Sequence, residues 1–171
     1  SQHLHLPPGT TLDDLRRLTK RFLYASTSCV MHGQMLPWKE SDRPSHQICP
    51  YGWSKWANEC DFGVSKILNA IGLRFFTVYG PFGRPDMALF KFTEAILEDR
   101  PIDVYNRGKM RRDFTYISDI VDGVVAAVEK SHACEIFNLG DARPAPLMGF
   151  IRILEESLGK KARMNLLPMQ P

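Results

Sequence analysis

The sequence predicts an α/β fold built on a parallel sheet, and three features carry that expectation. Two short, mostly apolar runs, 21–25 and 73–78, read as buried strands. The stretch 51–70 between them is long enough for the helix that a parallel connection needs. Both runs break at punctuation that can face a ligand: the hydroxyls of Ser26, Thr27 and Ser28 after the first, and Tyr79, Gly80 and Pro81 after the second. In a parallel α/β sheet, ligands sit at the carboxyl ends of the strands, so these groups would gather there.

The remaining elements follow from periodicity and stop signals. Residues 11–20 read as an amphipathic helix, with Leu12, Leu15 and Leu18 on one side and Thr10 or Thr11 as cap. The proline-rich stretch 31–50 reads as an irregular loop, and Pro50 suits the first turn of the helix that follows. A helix over 88–100 carries Phe90, Phe92 and Ile96, with Pro101 closing it. Residues 102–105 and 113–117 read as strands joined by the Asn-Arg-Gly-Lys turn. Ser118 is expected to cap a helix reaching Lys130, and 135–138 to form a short strand. Apolar residues at 147, 150, 151, 154 and 158 form a helical stripe that Gly159 stops. Met87 and Met148 are expected to fill gaps in the core.

Composition bounds the function. Of the 171 residues 44% are hydrophobic and 24% charged, which is ordinary for a globular protein with one core. A net charge of +3 is too slight to argue for a nucleic acid or membrane partner, and no apolar run reaches the ~18 residues of a membrane span. Arg16 with Arg17, and Lys160 with Lys161, read as solvated faces; Lys109, Arg111 and Arg112 form a tighter basic cluster. The four cysteines show no C-x-x-C pairing and no zinc spacing with the five histidines, so no metal is expected and a reduced, cytoplasmic setting is the simplest account.

Tyr51 and Lys55 carry the chemistry. Four residues apart on a helix, they share one face about one turn apart. An ammonium near a phenol favours the phenolate, so a tyrosine that starts near ~10 could serve as a base near neutral pH. A neighbouring hydroxyl that both donates and accepts could relay the proton. Such a trio suits redox chemistry at a carbinol carbon. The same spacing also occurs on helices with no chemistry, and hydroxyl runs often only cap a strand end.

Longer blocks carry a resemblance. YASTSCV at 24–30, YGWSK at 51–55 with ANE at 57–59, GLRFFTVYGPFGRPDMA at 72–88, IDVYN at 102–106 and GKMRRDFTYI at 108–117 are similar to segments of extended short-chain dehydrogenases, the NAD-dependent epimerase/dehydratase family. The group they resemble most is the UDP-glucuronate 4-epimerases. The resemblance implies the carboxyl-terminal part of a Rossmann-type parallel sheet plus a smaller α+β substrate-binding subdomain. It divides the chain into a lead-in over 1–20, a partial Rossmann-like catalytic region over 21–82, and a mainly substrate-binding region over 83–171 into which Rossmann elements return. Family members open with a strand and a glycine-rich turn that cradles the NAD pyrophosphate. No G-x-G-x-x-G occurs in these residues. The chain is therefore expected to be part of an epimerase, without that N-terminal unit and without the family's tail.

By the same resemblance, Tyr51 takes the proton of the sugar 4-hydroxyl while hydride passes from C4 to NAD. Thr27 bridges hydroxyl and phenol, with Ser26 and Ser28 as alternatives, and Lys55 assists Tyr51 and bonds the nicotinamide ribose. Ser26, Tyr51, Lys55, Tyr79 and Pro81 would meet the cofactor. Thr27, Ser28, Arg84, Met87, Ala88 and Arg112 would meet a UDP-sugar, Arg112 gripping the diphosphate as a guanidinium fork does. A sheet-edge salt bridge is the plainer account of Arg112. The implied full-length protein is a homodimer.

Three departures stand out. Val30, Met31, His32 and Gly33 replace the family's Val-Tyr-Gly, which removes a tyrosine from the sugar pocket. The crossover after Trp56 is a few residues shorter than usual. Ser28 and Cys29 stand where related dehydratases carry Asp-Glu, which favours epimerisation over dehydration. The alternatives are a decarboxylase or other dehydrogenase of the superfamily, and a non-catalytic remnant that binds a sugar nucleotide without turnover.

Overall fold

The computed structural model describes residues 8–11, 14, 22–44, 46–65, 69–130 and 134–169. The chain divides into two compact units, Ser1–Phe75 with Val121–Leu139, and Phe76–Ile120 with Gly140–Pro171. The helix expected over 11–20 lies outside the described residues except at its start. There Thr11 and Asp14 exchange hydrogen bonds, the Thr11 backbone N–H donating to Asp14 Oδ2 at 2.9 Å and the Asp14 N–H to Thr11 Oγ1 at 3.2 Å. This reciprocal pairing is a capping box in all but the length of its acid.

In the first unit, β1 (Phe22–Thr27), β2 (Ala70–Phe75) and β7 (Glu135–Leu139) form a parallel sheet in the order β1-β2-β7. Phe22 stands opposite Ala70, and Thr27 opposite Phe75. Helix α1 (Pro50–Ser65) connects β1 to β2, with Pro50 in its first turn as expected. Ile71, Leu73 and Ala127 form the buried centre, with Leu23, Phe75, Val124, Phe137 and Leu139 packed around them.

The sequence expectation differs here in two places. Ala70 belongs to β2 rather than to the crossover helix, because it pairs with Phe22. The run 73–78 is not one strand. It breaks at Phe76, and β3 (Thr77–Tyr79) pairs in parallel with β6 (Phe114–Tyr116) instead. Apolar content makes both halves strands; only the partner separates them.

In the second unit, α2 (Ala88–Leu97) and α4 (Leu147–Leu158) pack on β4 (Ile102–Val104). Ala95, Ile96, Ile102, Val104, Leu147 and Ile151 form the core. Each fully buried aliphatic side chain there contributes about 1.5–3 kcal/mol. Gly159 ends α4 in the left-handed conformation at φ +64°. Helix α2 stops at Leu97, before Pro101, as Asp99 turns left-handed at φ +54°.

The expected pairing of 102–105 with 113–117 does not form. The edge of β4 is taken in parallel by β9 (Met164–Leu166), and that ladder continues as the Arg107 N–H donates to Leu167 O at 2.9 Å. The turn between them is a 3-10 segment, Tyr105–Gly108. The short β5 (Arg111–Arg112) pairs antiparallel with β8 (Ala145–Pro146). Helix α3 (Ile117–Glu129) begins one residue before Ser118, whose hydroxyl donates to the Asp119 carboxylate at 3.2 Å.

Met148 fills a gap as expected, lying over Gly108, whereas Met87 is exposed at the head of α2. Lys160 and Lys161 do more than face solvent. Lys160 Nζ donates to Leu97 O at 2.7 Å and Lys161 Nζ pairs with Glu155 at 3.1 Å.

Candidate functional site

Strand β1 carries the hydroxyl cluster out of the sheet. Ser26 and Thr27, its last residues, are both buried. Successive side chains of a strand point to opposite faces, which separates the two. Ser26 Oγ donates to Glu59 Oε1, and the same carboxylate takes two hydrogen bonds from Arg74, Nε to Oε1 at 2.9 Å and Nη2 to Oε2 at 2.7 Å. Arg74 is 1% exposed, so this is a bidentate pair sealed inside the unit. The Ser26 hydroxyl is thus engaged from behind the site. Thr27 Oγ1 accepts the Cys29 N–H at 3.2 Å, which leaves its own proton to give.

After Thr27 the chain turns through a 3-10 segment, Ser28–Met31. Val30 and Met31 are fully buried. The stretch that stands in for the family's Val-Tyr-Gly therefore opens with two core side chains. Gln47 Nε2 donates to Val30 O at 3.0 Å and ties the following loop back to this turn.

Helix α1 starts against the same turn. A Cβ on Gly52 would stand 3.3 Å from the Cys29 carbonyl and 2.9 Å from Gln47 Oε1, so the approach of the helix needs a glycine here. Cys49 Sγ accepts the Gly52 N–H at 3.3 Å and serves as the cap, which the sequence reading did not foresee. Tyr51, in that first turn, is 55% exposed, and Lys55 Nζ lies 6.0 Å from its ring centroid. Thr27, Tyr51 and Lys55 are thus set around one strand end and one helix start. Thr27 and Tyr51 do not hydrogen-bond each other.

In the second unit, Tyr79, Met87, Ala88 and Arg112 line a cavity of about 260 Å³ with Asp103 and Tyr105. Tyr79 packs edge-on against Tyr116 at 5.4 Å between ring centroids. Arg112 is exposed on β5 opposite Ala145, and among the described residues it has no ion-pair partner. Arg84 and Pro81 do not line this cavity. Arg84 forks onto Asp86, holding that carboxyl below its ordinary range by hydrogen bonding. Pro81 lies in an exposed turn beside Phe82, which takes φ +61°.

Sequence reading missed Asp103 and Tyr105, although β4 alternates buried, exposed, buried and so flags Asp103. It also missed Asp113, whose carboxylate accepts the N–H groups of Asp141 at 2.9 Å and Ala142 at 2.8 Å and fixes the loop before β8.

Residues 11–140 match the family model described as the NAD dependent epimerase/dehydratase family. The chain belongs to this family. A probable UDP-glucuronate 4-epimerase of Rhizobium meliloti (strain 1021) is 38% identical, over 88% of this chain and 51% of its own length. An uncharacterized protein of Methanocaldococcus jannaschii is 50% identical over 155 residues, 88% of this chain and 48% of its own. Among solved structures, the UDP-glucuronic acid 4-epimerase from Bacillus cereus, in complex with UDP-glucuronic acid and NAD, superposes with a TM-score of 0.85 at 34% identity, over 94% of this chain and 52% of that one. The chain spans about half the length of the relatives it matches. Family and neighbours agree on a Rossmann-type α/β fold and on NAD as the family's cofactor. Among the described residues, no helix is long and apolar enough to cross a membrane.

Proposed function

We propose that this chain carries the catalytic half-site of a nucleotide-sugar 4-epimerase acting on UDP-glucuronate. The observation that carries the reading is the start of α1, which presents Tyr51 and Lys55 beside the turn that follows Thr27. The exposed Tyr51 phenol and the unused Thr27 proton fit the nicotinamide end of NAD and a sugar hydroxyl. Held beside these residues, NAD would supply reversible hydride acceptance at C4. Tyr51 takes the 4-hydroxyl proton, Thr27 orients that oxygen, and Lys55 holds positive charge beside the phenol. Once the sugar has turned in its pocket, Tyr51 would return the proton to the same oxygen. In the second unit, Arg112 is exposed on β5 without an ion-pair partner among the described residues, which leaves its guanidinium available to a phosphate group.

A second reading is a sugar-nucleotide binder without turnover. Product analysis after incubation with UDP-glucuronate and NAD separates the possibilities. Appearance of UDP-galacturonate supports the epimerase. Release of carbon dioxide would replace it with a decarboxylase. An intact substrate that nonetheless binds would leave only the binder.

A further inference from the structure

In the second unit, Arg112 and Phe114 both line the cavity of about 260 Å³, whereas Asp113, half-buried between them in sequence, does not. Its polar atoms instead join three segments behind the cavity wall. The main-chain carbonyl accepts the Thr77 N–H of β3 at 3.2 Å. Its Oδ1 accepts the Thr115 hydroxyl at 3.1 Å and the Asp141 N–H at 2.9 Å, and its Oδ2 accepts the Ala142 N–H at 2.8 Å. We propose that Asp113 is a positioning residue for a phosphate-bearing ligand: it anchors the loop 140–144, so that β8 holds β5, and with it Arg112, at the cavity wall. This inference rests on the reading of Arg112 as the phosphate contact.

The loop needs that anchor. Strands β5 and β8 have two residues each, too few to fix their own register, and Arg112 faces Ala145 across them. Upstream of Ala145, Ala142 takes the left-handed conformation at φ +57°, which is strained for a residue with a Cβ and persists only where neighbours enforce it. The bond from its N–H to a carboxylate does so, and such bonds are stronger than neutral ones. The approach is close: a Cβ on Gly140 would fall 3.1 Å from Asp113 Oδ2. At the far end of the loop, Arg111 Nη2 donates to Pro144 O at 2.5 Å and ties β5 to the same segment a second time. Asp113 thus sets the position of Arg112 without reaching into the cavity itself.

The test measures UDP binding by titration calorimetry to the 171-residue chain, to Arg112→Ala, to Asp113→Asn and to the double variant. Arg112→Ala is expected to weaken UDP about tenfold or more, as the loss of a charge-assisted contact does. Asp113→Asn keeps the size of the side chain but only one acceptor oxygen, and is expected to weaken UDP about threefold or more. In the Arg112→Ala background the same change is expected to alter affinity by less than about twofold, because it acts through the guanidinium. A purely structural role would add its loss in both backgrounds. Thr115→Val, which removes the hydroxyl bonded to both Asp113 and Asp141, is the milder variant should Asp113→Asn not fold, and is expected to follow the same pattern. Undiminished UDP binding by Arg112→Ala, or none by the unaltered chain, would remove the phosphate reading and this inference together. Weakening by Arg112→Ala with none from Asp113→Asn, or with equal losses in both backgrounds, would keep that reading and overturn this one.

Discussion

The two units place their polar side chains by different means. In the first, Tyr51, Lys55 and Thr27 stand at the ends of long elements, and a sealed Glu59–Arg74–Ser26 network supports the strand end from within. In the second, Arg84 and Arg112 stand on an exposed turn and a two-residue strand, supported mainly by neighbouring backbone pairings such as that of Arg112 with Ala145. A proton-transfer group needs a fixed position, and regular elements supply it. A phosphate-type contact made by a long guanidinium tolerates a softer base.

The contrast predicts that the largest effect comes from the sealed pair. Arg74→Met leaves the Glu59 carboxylate buried and unpaired, and is expected to cost about 3–5 kcal/mol in urea unfolding. A loss below about 1 kcal/mol would mean that the pair does not support the strand end. The core of the second unit sets the scale for comparison: Ile151→Ala, at a side chain 1% exposed, is expected to cost about 2–5 kcal/mol by the same measurement.

Closer packing of the sheet predicts a middle-sized effect. A Cβ on Gly72 would fall 2.7 Å from Tyr24 Cζ, so Gly72→Ala must displace that ring, at about 1–3 kcal/mol. A neutral result would show that Tyr24 moves freely. The smallest effect belongs to the second unit's surface. Arg84→Ala removes an exposed ion pair and is expected to change stability by less than about 1 kcal/mol. A larger loss would put Arg84 in the frame of its unit rather than on its rim.

The same contrast explains what could be read in advance. Local signals marked α1, α4, its Gly159 stop and the hydroxyls at the end of β1, because each depends on neighbours in sequence. The pairing of β4 with β9 and of β3 with β6 spans dozens of residues and leaves no local trace, so a hairpin was expected where none forms. Spacing placed Tyr51 and Lys55 on one helix face, and only the longer matching blocks around them singled them out. The cap from Cys49, the burial of Met31 and the clamp at Asp113 were not legible, since each arises from a contact that only the folded chain brings about.

The most direct test of the central claim compares Tyr51→Phe with the unaltered chain, both supplied with NAD and UDP-glucuronate and assayed by NMR for UDP-galacturonate. The account predicts product from the unaltered chain and a loss of about 10²-fold or more in the variant, which keeps the ring and lacks only the proton acceptor. Equal rates from the two proteins, or no product from the unaltered chain, would contradict it.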